Sequence, residues 1–245
     1  MLKKLISFIL IFNFLVVSAQ LNQEPKKITN KFFSDHNDIE NITPALKKKK
    51  GFTNYNELLN YIEEKVQNYP QLVSSNFIGE SQKGKKIPIV YIKKNKNNYD
   101  KKVRVWMQGG LHGNEPASTE SLLYLIHLIL EDPNYNYLLD KIELAISPMA
   151  NIDGSLKNDR YAANGLDLNR DHTKIMAPET KASIKAFNDF NPHVALDFHE
   201  YRPFRKDFAQ LSSFGISNPY DVMFLHTGNL NVPENIRIII DTLFV

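Results

Sequence analysis

Cysteine is absent from all 245 residues, so no disulfide can staple this chain and no N-terminal cysteine can carry a lipid anchor. No glycine-rich phosphate loop and no G-x-S-x-G occurs, which leaves a nucleotide-dependent enzyme or a serine hydrolase with little support. The adjacent His199 and Glu200 do not begin an H-E-x-x-H motif, because position 203 is proline. The lysine clusters at 47–50 and 93–96 lack the interleaved aromatic residues of a base-stacking surface. With a net charge of only +3 they read as solvated basic faces, and no nucleic-acid partner is expected. There is no internal repeat, and long apolar runs are scarce outside the first twenty residues.

What is present suits one α/β domain. A chain of 245 residues, 42% hydrophobic and 23% charged, can bury a sizeable core but would be cramped as two full domains. The N-terminus has Lys3 and Lys4, an apolar block over 5–17, then the small residues Ser18 and Ala19. That order is that of a signal peptide (1–19) with cleavage expected after Ala19, and it predicts export to a periplasmic or extracellular location. The block is too short for a comfortable span, so no stable membrane span is expected once it is removed. Residues 20–50, rich in Asn, Lys and Asp, read as a linker or loosely ordered segment, leaving 51–245 as the folded domain. A monomer is expected.

Periodicity organises the rest. Leu58, Leu59, Ile62 and Val66 keep helical spacing between a cap at Thr53 and a stop at Pro70. Two β-rich runs around Gly84 predict a hairpin. Strands are then expected over 103–107, 142–147 and 193–198, alternating with helices over 116–130 and 179–190. This alternation predicts an α/β fold with a mixed, largely parallel open central sheet and helices on both faces. In such sheets ligands gather beyond the carboxyl ends of the strands. After the first of these strands come His112 and Glu115, after the second Asn151, Asp153, Arg160, Asn169 and Arg170, and after the third His199.

Two histidines and a glutamate are the ligand set of a catalytic zinc site that leaves one position open. Residues three apart in a tight or helical turn share a side, so His112 and Glu115 could reach one ion, with His199 arriving from a neighbouring strand. Taken singly, His112 with Glu115 also fits a polar turn, His199 a hydrogen-bonded histidine, and Arg160 or Arg170 a surface ion pair. Asp167 fits either a partner of the site or a structural carboxylate. Asp197, on the same side of its strand as His199, could orient that imidazole.

Three segments, "GGLHGNEPAS", "NIDGSLKNDRYAANGLDLNRD" and "ALDFHEYRP", resemble the M14 family of zinc carboxypeptidases in order and approximate spacing. The resemblance implies that His112, Glu115 and His199 bind one Zn2+ ion, that Arg160 steadies the oxyanion, and that Asn169 and Arg170 grip the substrate's terminal carboxylate. It implies an exported metallocarboxypeptidase that hydrolyses C-terminal peptide bonds with zinc-activated water. Its substrates would be peptides or peptide-like molecules with a free C-terminal carboxylate. A planar guanidinium suits that group, because it binds a carboxylate through two parallel hydrogen bonds.

One departure accompanies the resemblance. The family's general base is a glutamate on a late strand, and no such residue is identifiable in this chain. Glu234 follows Pro233 and reads as a residue of a helix's first turn, where a carboxylate suits the dipole. The apolar ending "IIIDTLFV" gives the expectation of a truncated domain. Two other functions fit the same residues, a zinc-dependent deacylase of N-acyl amino acids and a non-catalytic module that binds peptide or cell-wall termini.

Overall fold

The computed structural model describes residues 42–94, 102–200 and 232–243, with Lys27 and Lys31. The expected signal peptide and most of the expected linker lie outside the described residues. The chain divides into two compact units, Met1–Ile42 and Thr43–Val245, and the second holds the sheet and its helices.

Helix α1, Tyr55–Asn68, starts at a capping box: the Asn54 side chain accepts from the Asn56 and Glu57 amides, and Glu57 accepts from the Asn54 amide. Thr53, the cap expected from sequence, has another task. Its amide and hydroxyl donate to the Glu120 carboxylate, and the buried Thr43 hydroxyl donates there too. A single acid thus ties the start of the unit to the next long helix.

The hairpin follows as β1, Val73–Glu80, and β2, Lys86–Ile92, turning through Gly84. Then come β3, Val103–Gln108; α2, Pro116–Glu131; a 3-10 turn; and β4, Ile142–Ser147. Two single-turn helices, α3 (Ile152–Ser155) and α4 (Leu168–Asp171), precede α5, Pro178–Phe190, and β5, Val194–Asp197. Helix α6, Glu234–Leu243, has Glu234 in its first turn as expected. Prolines at the first positions of α2 and α5 suit a place where the missing N–H is not needed.

The five strands run β1-β2-β4-β3-β5. The hairpin and the β2–β4 pair are antiparallel, whereas β3 runs parallel to both β4 and β5. The sheet is therefore mixed, and its parallel part is the part whose strand ends carry the candidate site. Period-two alternation sorts the side chains between two layers. Val105, Met107, Leu144 and Ile146 face α1 and α2 in the larger core. Trp106, Ala145 and Ile89 face α5 on the other side, where the Trp106 and Phe187 rings meet edge to face at 5.6 Å. Among the described residues no helix is long and apolar enough to cross a membrane.

Candidate metal centre

Three strand ends are laced together before any site side chain appears. Beyond β3 and β4 the backbones stay paired: the Gly109 amide donates to Ser147 O, and the Ala150 and Asn151 amides donate back to Gly109 O and Gly110 O. Gly110 has φ +62°, and a Cβ there would stand 3.1 Å from both Met149 Cα and Thr119 Oγ1, so a glycine is required for this crossing. The turn that follows brings Glu115 to the N-cap position of α2. Its carboxylate caps nothing there, and points instead at the histidines.

Glu115 is the hub. Its Oε1 lies 2.8 Å from His112 Nδ1 and its Oε2 lies 2.8 Å from His199 Nδ1. The imidazole centroids are 4.8 Å apart, and one ligand atom from each of the three residues lies within 4.8 Å of the others. Each imidazole spends its other nitrogen on a second carboxylate: His112 Nε2 is 3.2 Å from Asp167 Oδ1, and His199 Nε2 is 3.0 Å from Asp197 Oδ2. Outer carboxylates of this kind orient ligand histidines and raise their basicity.

Electrostatics follows from this packing. Burial by itself favours a neutral Glu115, but the hydrogen bonds from His112 and His199 outweigh it and hold the carboxyl down to about 2. Asp197, and after it Glu115, pushes His199 up to about 10, against the effect of its burial. For a cation that would take the place of imidazole protons, the carboxylates of Glu115, Asp167 and Asp197, offset by the Arg160 guanidinium, leave two negative charges in and around the cluster. Two imidazole nitrogens, a carboxylate and a double negative charge form a donor set and a field suited to one divalent cation of the zinc type.

Arg160 closes the group from the α4 side. Its Nη1 is 3.5 Å from Glu115 Oε1, and its Nε and Nη2 donate to Asp167 Oδ2 at 3.0 and 2.8 Å.

Comparison with known proteins agrees with this geometry. Residues 58–206 match the zinc carboxypeptidase family. The chain belongs to that family. Carboxypeptidase 2 of Trichophyton tonsurans is 36% identical over 174 residues, which cover 67% of this chain and 31% of that protein. Human carboxypeptidase D is 29% identical over 164 residues, covering 60% of this chain and 12% of the other. The chain thus spans about a third or less of the length of these relatives. In fold it is similar to carboxypeptidase A from Helicoverpa armigera, with a TM-score of 0.59 at 21% identity, covering 73% of this chain and 53% of that one.

Against the zinc carboxypeptidase pattern, the structure gathers four of the six residues singled out from sequence, His112, Glu115, His199 and Arg160, into one cluster. Asn169 joins its edge, with Nδ2 3.2 Å from His199 Nε2. Arg170 is held only by its backbone: its amide donates to Asp167 Oδ1, and its exposed guanidinium pairs with no carboxylate among the described residues. Asp167, which sequence left open between two roles, fills both. It caps α4 by accepting from the Asn169 and Arg170 amides while its oxygens hold His112 and Arg160. His172 takes another place: its Nδ1 donates to Leu168 O, and the residue lines a cavity of about 380 Å³ on the α5 side together with Trp106, Gln108 and Asp197. His193 accepts from the Arg104 amide and only joins two strand ends.

Glu200 is the neighbour that sequence reasoning passed over. Its amide donates to Glu115 Oε2 at 3.2 Å, and its own carboxylate accepts from the Ala117 amide in the first turn of α2 at 3.1 Å. Its adjacency to His199 was the available signal, but a lone "HE" says nothing about which helix end it will meet.

Proposed function

We propose that this chain is an exported zinc metallocarboxypeptidase acting on peptides with a free C-terminal carboxylate. The observation that carries this reading is the convergence of His112, Glu115 and His199 on one point with Arg160 beside it. His112, Glu115 and His199 would hold the ion. When bound, zinc supplies Lewis acidity that polarises a scissile carbonyl and acidifies water near neutral pH.

The protein's own groups do the rest. Asp167 and Asp197 hold the Nε2 sides of the two imidazoles, leaving the Nδ1 atoms turned to the centre. Arg160, fixed by two donations to Asp167, keeps a positive charge beside Glu115, where negative charge would develop on the substrate oxygen. Asn169 and the exposed guanidinium of Arg170, presented from one turn of α4, would bind the terminal carboxylate through planar paired hydrogen bonds. Export rests on the order of Lys3, Lys4, the apolar block over 5–17 and Ala19.

The test uses the purified full chain. It should carry one zinc per molecule, release C-terminal residues from peptides and leave C-amidated copies intact. It should lose the metal in His112→Ala. Equal cleavage of amidated peptides sinks the carboxylate-recognition reading, and preferential hydrolysis of N-acyl amino acids gives the deacylase. Peptide binding that persists unchanged in metal-free His112→Ala gives the non-catalytic module.

A further inference from the structure

Between the two candidate ligands of the first turn lies Gly113, and its surroundings are the tightest of any glycine described. A Cβ built there would stand 2.1 Å from Gly154 C, 2.2 Å from Ser155 N and 2.6 Å from Asp159 O. These are backbone atoms, so nothing can rotate out of the way. The turn bearing His112 and Glu115 lies directly on the backbone of α3 and the residues leading to Arg160.

The surface beneath it is held by Asn151, which is wholly buried. Asn151 Oδ1 accepts from the Gly154 amide at 2.9 Å, and its Nδ2 donates to Arg160 O at 3.3 Å. Its own amide donates to Gly110 O at 2.9 Å, on the strand end that leads into the ligand turn. One side chain and its amide therefore touch the platform glycine, the carbonyl of the site arginine and the approach to the ligands. Gly154 is crowded from the same direction: a Cβ there would meet Asn151 Nδ2 at 2.6 Å and Asp159 O at 2.8 Å.

We propose that Gly113 and Asn151 form a clasp that sets the His112–Glu115 turn at its working distance from His199 and Arg160, and that both are positioning residues for the metal. The inference rests on the reading of the cluster as a zinc site. Its physical basis is that backbone packed on backbone has little compliance, whereas a ligand turn resting on flexible side chains would drift. Ligand placement within about half an ångström is what a preorganised site requires. Adding a methyl at Gly113 must lift the turn, and removing the Asn151 amide must loosen the platform under it.

The experiment compares zinc affinity, by chelator competition under native conditions, with thermal melting of the metal-free full chain. The variants are Gly113→Ala, Asn151→Ala and Asn151→Asp, with Gly51→Ala as a control. Gly51 has φ +89° with nothing within 4 Å of a built Cβ, so alanine there strains the backbone without touching the site. Gly113→Ala and Asn151→Ala should bind zinc about 10- to 100-fold more weakly, the size of effect seen when groups supporting metal ligands are lost. Asn151→Asp keeps the acceptor for the Gly154 amide but sets a buried carboxylate oxygen against Arg160 O, so it too should bind zinc about 10- to 100-fold more weakly, and Gly51→Ala should melt earlier yet bind as wild type.

Zinc affinity unchanged in Gly113→Ala and Asn151→Ala, with only melting affected, makes the clasp merely structural and overturns the inference. If Gly113→Ala does not fold, the Asn151 pair still decides, because both the alanine and the aspartate variant must then bind zinc more weakly than wild type. A wild-type chain that binds no zinc removes the metal-site reading itself, an outcome distinct from equal affinity across the variants.

Discussion

At the scale of single residues, Asp167 shows how much one carboxylate can do when its neighbours are brought in by the fold. It caps a helical turn, orients His112 and pairs with Arg160. Asp167→Asn keeps a good cap but not the charge. It should therefore weaken zinc binding about 10- to 100-fold. Its metal-free form should melt within about 4 °C of wild type, the shift that roughly 1 kcal/mol produces in a domain of this size. A large loss of melting temperature with unchanged zinc affinity would reverse that assignment. Asp171 has a structural role of the same local kind. Its burial favours the neutral form, but the Ala177 and Met176 amides outweigh this and hold the carboxyl below its ordinary 3.8. A carboxyl depressed in the folded state stabilises it above the unfolded value and ceases to do so as pH falls through the folded value. Asp171→Asn should then destabilise fully at pH 7, and its difference from wild type should shrink below about pH 4. Urea unfolding at several pH values measures this, and a pH-independent difference would contradict it.

At the scale of elements, helix termini decide where the site residues point. The N-terminus of α1 is satisfied by its own capping box, and Asn54→Ala should cost about 1 kcal/mol, which calorimetry would register as a lower melting temperature. An unchanged melting temperature would mean that Glu57 and Lys48 hold the turn without Asn54. The N-terminus of α2 is different. Its N-cap residue Glu115 has turned away to the imidazoles, and Glu200, from beyond β5, supplies the missing acceptor at Ala117. The start of α2 was legible in Pro116, and the strand–helix alternation was legible in hydrophobic periodicity, so the elements closely match their expected ranges. Thr53 as a cap was not borne out, because Asn54 competes for the same place and Glu120, far along the chain, offers Thr53 a better partner.

At the scale of the whole molecule, any ion gripped by ligands from both β3 and β5 links metal occupancy to folding. At a free zinc concentration about 100 times the dissociation constant, the linkage is about 2.7 kcal/mol. Zinc should accordingly raise the melting temperature of the wild-type chain and leave His199→Ala nearly unmoved; an equal rise in both would place the ion elsewhere. The sheet makes such a site possible. Parallel pairing of β3 with β4 and β5 brings three carboxyl ends to one edge, and helices on both faces bury most of β3 and β4, while β5 stays largely exposed at the sheet edge.

The amino-acid sequence on its own determined the strand–helix order, the three motif segments and the residue types able to take a metal, because periodicity and motif spacing are local properties that survive without contacts. Tertiary structure alone decided which carboxylate serves which imidazole, that Glu200 rather than Glu115 meets the start of α2, and that the ligand turn rests on Gly154. Each of those depends on distances between segments far apart in the chain, and those distances exist only once the sheet has closed its hydrophobic layers.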